Sequence, residues 1–294
     1  MTLPDDWELA VVAAKILMLA AIAGVGGSCL MLWLFRLTSF PLQPLLRYAQ
    51  AAAALGLLAV PLWLLLQVGS INQGGLAGMF DMTMAALLLQ STLGWVAALR
   101  IGACVLVLVA VSTLRAAGRM GQGFFVIATL LACSSVVMTG HVSTLPVVVR
   151  AILLLHVLGA VLWMGSLYPL QQVCGQVRGA DQLAALQTLM RRFGQVAVVI
   201  VSVLLPAGLL LAFQLLQTPS DLWTVPYGIT LLCKIILVCG LLLLAALNKL
   251  VWVPQLSQTG TLLLQRSIRL EMALALLVLA LTSWQTTVTG PSAM

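Results

Sequence analysis

The chain has 294 residues, of which 62% are hydrophobic and only 7% charged, and its formal net charge is +7. A soluble domain carries about 25% charge, so this composition, with a mean hydropathy of +1.15, excludes an ordinary soluble protein and puts the lipid bilayer around most of the chain. The basic excess does not point to nucleic acid, because the basic residues stand at the ends of apolar runs instead of clustering on one wet face.

The first residues include Asp5, Asp6 and Glu8. A cleaved signal peptide opens with a basic segment, so the first apolar run is expected to stay as a membrane helix. A span needs about 20 apolar residues. The hydropathy pattern predicts eight, at 9–35, 45–68, 93–114, 123–140, 146–170, 194–216, 226–247 and 262–284. The expected fold is all-α, a polytopic membrane helix bundle of eight transmembrane helices. No linker or shift of composition divides it, so residues 1–294 read as a single membrane domain. The longer connection from Gly69 to Gln90 ends in Met79–Gln90, which can form a helix lying in the interface.

Orientation follows from the positive charges. Arg36, Arg47, Arg115, Arg119, Arg178, Arg191, Arg192, Lys249, Arg266 and Arg269 all fall in alternate connections, and the opposite connections and both termini lack lysine and arginine. The positive-inside rule puts the basic connections in the cytoplasm and both termini outside, which in a bacterial inner membrane is the periplasm. Four bases remain within the spans: Lys15, Arg100, Arg150 and Lys234, each one to two turns from an outer end. They either snorkel or pair with outer acids such as Asp81 and Asp221, or they form an outer basic vestibule. Glu271 opens the last span beside Arg266 and Arg269, where an ion pair accounts for it and an inner exit ligand is the alternative.

No catalytic triad, paired carboxylates or phosphate-cradling glycine loop is evident, so the chain is not read as an enzyme. Gly24, Gly26 and Gly27 lie in mid-membrane, where small residues let helices approach closely. The six cysteines lie in or beside apolar runs with no Cys-x-x-Cys pair and read as packing residues. Metal chemistry fits better. Met79, Met82 and Met84 bring three thioethers within six residues. Thioether is a soft, uncharged ligand suited to Cu(I). Met138 and His141 share a face if the fourth helix reaches that far. His156, ten residues into the fifth span, projects with Gly159, Ala160 and Trp163. At 1.5 Å per residue it lies about 15 Å below Pro146, so His141 and His156 read as two stations on a path and not as one site. A core histidine bonded to a backbone carbonyl is the competing interpretation of His156.

These residues carry a family pattern: Gly140-His141 closing the fourth span, then His156-Val157-Leu158-Gly159-Ala160-Val161-Leu162-Trp163-Met164-Gly165 in the fifth. Arg192-Phe193-Gly194, Tyr227-Gly228 with Lys234, Asn248 with Pro254, Arg266-Ser267-Ile268 with Glu271, and Thr286 to Pro291 follow in order. In these the chain resembles the copper-resistance D (CopD) family of bacterial inner-membrane proteins, most strongly over 138–291. The resemblance implies copper movement across the inner membrane, usually inward, and a periplasmic copper-binding partner of the CopC type. On that basis Met79, Met82 and Met84 gather the ion, Met138 and His141 form the entrance, and His156 is the deep ligand. Trp163, Met164, Lys234 and Glu271 line or support the path, and Lys15, Arg100 and Arg150 form the vestibule. The expected cargo is a copper ion, Cu(I) favoured. Two alternatives stay open: a haem- or quinone-linked oxidoreductase, and a non-transporting protein that presents copper to a partner.

Overall fold

A computed structural model describes residues 6–38, 40–72, 75–117, 119–140, 144–177, 179–257 and 260–290. Among these, no strand occurs. The helices are α1 (Asp6–Phe35), α2 (Gln43–Asn72), α3 (Gly75–Gly78), α4 (Met82–Gln90), α5 (Thr92–Ala117), α6 (Arg119–Val137), α7 (Val147–Gln176), α8 (Ala180–Leu215), α9 (Asp221–Thr224), α10 (Pro226–Leu247) and α11 (Gly260–Gln285). A π-helical turn, Asn248–Trp252, continues α10. In hydrocarbon each backbone N–H and C=O must be satisfied within its own segment, and continuous apolar runs of this length meet that demand as helices.

Among the described residues seven helices are long and apolar enough to cross a membrane: α1, α2, α5, α6, α7, α8 and α10 with its π-turn. The eighth expected span corresponds to the 26-residue α11, which carries Arg266, Arg269 and Glu271 in its first half and is not among those seven. The helices pack as two groups. α1, α2, α5 and α6 form one, α7, α8, α10 and α11 the other, and α1 and α7 meet along the seam. α1 is the central helix, with 56% of its most apolar stretch buried inside protein against 11% for α10 at the rim.

Glycine makes the seam close. A Cβ on Gly165 would stand 2.6 Å from the Ala23 carbonyl carbon and 2.9 Å from the Gly27 nitrogen. A Cβ on Gly26 would meet the Val161 side chain at 2.7 Å. Tyr48 of α2 reaches across to donate to the Gly165 carbonyl at 2.9 Å and stacks on Tyr168 with ring centroids 5.0 Å apart. The Ser166 hydroxyl bonds the Leu162 carbonyl at 2.7 Å and lies 3.4 Å from that of Gly27. The mid-membrane glycines are therefore packing residues.

Several boundaries differ from the expectation, α7 for instance running on to Gln176, and two bear on the site. α8 runs for 36 residues from Ala180, where 171–193 reads as a connection. At 1.5 Å per residue it is about 54 Å long, well beyond a hydrocarbon core of about 30 Å. Its first turns carry Asp181, Gln182, Arg191 and Arg192, and a hydropathy criterion misses such polar turns although they are helical. α6 ends at Val137, so Met138 lies in a turn and Gly140 takes a φ of +78°. The helix that would put Met138 and His141 on one face does not extend to them, and His141 itself lies outside the described residues. α4 starts where Asp81 caps it, its carboxylate accepting from the Thr83 and Met84 amides at 2.9 and 3.0 Å while Asn72 donates at 3.0 Å. The Met84 amide bond, then those of Thr83 and Asn72, hold this carboxyl below the usual carboxylate range against a smaller desolvation effect.

Candidate metal path

His156 is half-buried on α7 and faces α8. Its Nδ1 lies 3.0 Å from the Leu204 carbonyl oxygen. A carbonyl can only accept, so Nδ1 carries the hydrogen, and in the neutral ring Nε2 keeps its lone pair. The same face carries Gly159, whose missing side chain admits Ile200 and Leu204 of α8. Across from the ring sits Gly208, where a Cβ would stand 2.9 Å from His156 Cε1 and 3.3 Å from Nδ1. Pro206 lies between these two α8 positions. The sequence pattern singles out neither the Leu204 carbonyl nor Gly208, and its one available signal is a Pro-x-Gly inside an apolar helix. Thus the backbone-bonded histidine and the metal-ligand histidine are compatible, since ligand imidazoles usually donate their other N–H to a carbonyl or carboxylate.

α8 packs on α7, touches α1 and meets the π-turn near its basic end, where the Lys249 stem runs beside Gly194. α8 and α10 share at most a marginal contact, and both lean on other helices: α8 on α7, α10 on α11. His156 has α8 as the neighbour that its ring faces. Lys234 on α10 lies within electrostatic reach of it. Among the described residues no hydrogen bond or ion pair is seen for Lys234. Trp163 is buried in the core and its indole nitrogen has no partner, and Met164 packs partly buried against the same core. Among the described residues the buried Nε of Arg150, earlier on α7, also has no hydrogen-bond partner.

The methionines of the α3–α4 segment are dispersed in environment. Met79 is buried under Gly69 in the core, Met84 is half-buried, and Met82 is 74% exposed. Met138 is partly exposed. Among the described residues no cluster of three or more His, Cys, Asp or Glu side chains is placed to hold a metal. All six cysteines are free thiols, Cys104, Cys133 and Cys174 buried, Cys29 half-buried, and Cys233 and Cys239 on outward faces.

The vestibule bases have different surroundings. Arg100 is 4% exposed and locked between four helices. Its Nε donates to Ser135 Oγ at 3.0 Å and its Nη1 to the Met18 sulfur at 2.9 Å, while the guanidinium lies 5.0 Å over the Trp63 ring. No acid is among these partners. Lys15 is tied to the other end of the chain, donating to the Thr286 carbonyl at 3.1 Å and to Thr287 Oγ1 at 3.0 Å. Glu271 does not pair with Arg266 or Arg269, which are exposed on α11. It is 3% exposed and accepts from the Asn248 amide of the π-turn. Burial on the α10 side of α11 turns the carboxylate away from both arginines, which corrects the expected ion pair.

An all-α polytopic membrane protein emerges, with a backbone-oriented imidazole on α7 and thioethers in the α3–α4 segment. Two family models match the chain: "Copper resistance protein D-like, N-terminal domain" over residues 4–146 and "Copper resistance protein D" over residues 187–285. The chain belongs to the CopD family of copper-resistance membrane proteins. The first match covers the half of the chain whose likeness is mainly one of hydropathy. No curated protein and no solved structure matches.

Proposed function

We propose that the protein is a copper permease of the bacterial inner membrane that takes copper from the periplasm towards the cytoplasm. It has no chemical step of its own, and both termini face the periplasm. The observation that carries this is the orientation of His156: Nδ1 is engaged by the Leu204 carbonyl, so in the neutral ring the lone pair is left on Nε2. A neutral imidazole binds Cu(I) with no proton to displace. The exposed Met82 thioether, with Met84 beside it, supplies a soft first contact on the outer surface. There the ion would arrive from a periplasmic copper-binding protein of the CopC type. Met138 and His141 then pass it inward to His156. Met79, packed into the core, supports the α3–α4 segment from beneath. Trp163 and Met164 wall the path, and Lys234 and Arg150 keep free cations from leaking along it.

The test uses the purified chain in sealed vesicles, with entrapped copper counted after addition of Cu(I) or Zn(II). Wild type should accumulate Cu(I) and little Zn(II), and His156→Ala should accumulate neither while still inserting in the membrane. Equal Cu(I) counts in wild type and His156→Ala refute the path. Copper bound at the outer face with none inside would instead make the protein a presenter of copper.

A further inference from the structure

At the basic end of the bundle, Glu271 and Asn248 present an arrangement that the copper path does not use. Glu271 is almost fully buried, and its Oε1 accepts from Asn248 Nδ2. The other amide atom, Asn248 Oδ1, is buried without a hydrogen-bond partner. One turn before Glu271 on the same face of α11, the Ser267 hydroxyl is also buried and unpartnered, on a side chain only 2% exposed. Asn248 opens the π-turn, whose Val253 N–H bonds the Asn248 carbonyl at 2.9 Å. Such single π-turns occur often at functional sites.

A carboxylate and a primary amide cannot satisfy each other fully. The carboxylate only accepts, so it takes one amide hydrogen and leaves the amide oxygen without a donor. An unmade hydrogen bond on a buried acceptor is costly. A protonated carboxyl removes the mismatch, because Oε2–H donates to Oδ1 while Nδ2–H donates to Oε1. Turning the amide over does not help an ionised acid, since it puts oxygen against oxygen and again calls for a proton.

The charged groups on the surrounding elements form no ion pair with the Glu271 carboxyl among the described residues. Lys249 of the π-turn, Arg266 and Arg269 of α11 and Arg191 of α8 are exposed, and Arg192 of α8 is half-buried. Among the described residues none pairs with Glu271. On α7 the only charge is Arg150 in its first turn, on α10 the only one is Lys234, and on α1 the charges Asp6, Glu8 and Lys15 stand in its first third. Oxygen donors also suit a proton or hard cation and not Cu(I).

The geometry points to a proton-binding site at the π-turn: Glu271 holds a proton in a two-bond acid–amide pair with Asn248 and exchanges it with water at the basic end as the protein moves copper. The proton leaves Oε2 for water at the basic end, and the carboxylate left behind keeps the Asn248 N–H bond until it is reprotonated. Only the coupling to copper rests on the proposed transport.

The chain contains two glutamates, Glu8 and Glu271. Full-length protein labelled with 13C at the glutamate side-chain carboxyl and placed in lipid therefore gives two carboxyl resonances, and Glu271→Gln identifies the second. The expected result at neutral pH is an ionised Glu8 and a neutral Glu271, with the Glu271 resonance shifted in Asn248→Leu. An ionised Glu271 at neutral pH overturns the site, and so does a Glu271 resonance unaffected by Asn248→Leu. A second arm follows internal pH with a trapped dye during Cu(I) entry. Wild type should couple copper entry to a pH change, and Glu271→Gln should lose that change. Copper entry with no pH change in wild type overturns the coupling. No copper entry at all in wild type refutes the transport proposal, and the resonance measurement then decides the acid–amide pair by itself.

Discussion

Gly165→Ala is the sharpest test of the seam between α1 and α7. The added methyl carbon would lie 2.6 Å from the Ala23 carbonyl carbon and closer still to its oxygen. Reaching an ordinary contact of 3.4 Å from 2.6 Å requires the two backbones to part by about 0.8 Å, and the oxygen requires more. The obstructing atoms are backbone, so no side chain can rotate away. Overpacking costs about 1–3 kcal/mol, and backbone-on-backbone contact belongs at the upper end. Separation also strains the Tyr48–Gly165 hydrogen bond, worth about 1 kcal/mol. The expected loss is roughly 3–4 kcal/mol, a large part of a typical stability of about 5–15 kcal/mol. Denaturant titration of the purified protein in micelles measures it. Gly102→Ala and Gly123→Ala are the controls, since a Cβ at either meets nothing within 4 Å, and both should match or slightly exceed wild type. If Gly165→Ala unfolds at the same denaturant concentration as Gly102→Ala, the close approach does not hold the two helix groups together.

Gly208→Ala should weaken copper binding on the order of 10–100-fold without altering any ligand, because its methyl displaces the His156 ring from the Leu204 carbonyl. Isothermal titration with a Cu(I) buffer reads this, and an affinity equal to wild type contradicts the assigned ring orientation. Arg100→Ala should lose about 2–4 kcal/mol through its bond to Ser135 and its stacking on Trp63, measured by the same denaturant titration. A loss below that of an exposed control such as Arg269→Ala would show that Arg100 is not structural. For α4 the sign is set by the lowered Asp81 carboxyl: its cap is present above the unfolded pKa and fades only as pH falls through the folded one. Exchange protection of the Thr83 and Met84 amides should therefore persist through the ordinary carboxylate range and drop below it, with a flat profile in Asp81→Asn. Loss of protection already at the pH where free carboxylates titrate contradicts the capping bonds.

The membrane bundle is legible in the sequence because burial in lipid has one solution for an apolar run, and every predicted span overlaps an observed helix. The mid-membrane glycines were legible for the same reason, since side-chain size alone limits how near two helices come. What hydropathy hides is helix outside the bilayer. The first turns of α8, with Asp181, Arg191 and Arg192, look like a loop by hydropathy, although they continue the same helix. Partner identity was the other loss. Arg100 and Lys15 both read as outer bases, yet one is locked onto Met18, Ser135 and Trp63 and the other onto the Thr286–Thr287 segment, 271 residues away in sequence. Likewise Glu271 looks paired with its neighbours in sequence and instead meets Asn248 across 23 residues. Local spacing shows which residues share a helix face, whereas which helix that face meets is a tertiary fact.

The placement of α7 bears on how the two halves work together. The family matches end at residue 146 and resume at 187, and α7 with the first turns of α8 lies between them. α7 is also the helix of the second group that packs most extensively on α1, with its Gly165 side fixed at the seam and its His156 side turned to α8. One helix thus has a rigid face and a loosely held one. The rigid face is secured by backbone contact, Tyr48 and Ser166. The other is bounded by α8, which rests on few neighbours. Relative motion is easiest where burial is least, so a displacement of α8 along α7 would move Leu204 and Gly208 against His156 and leave the seam intact. Any such motion also acts on the π-turn, since the basic end of α8 runs beside Lys249. On the proposed function, one displacement of α8 reaches both His156 and the π-turn that carries Asn248, which is the physical means by which copper and proton binding would influence each other.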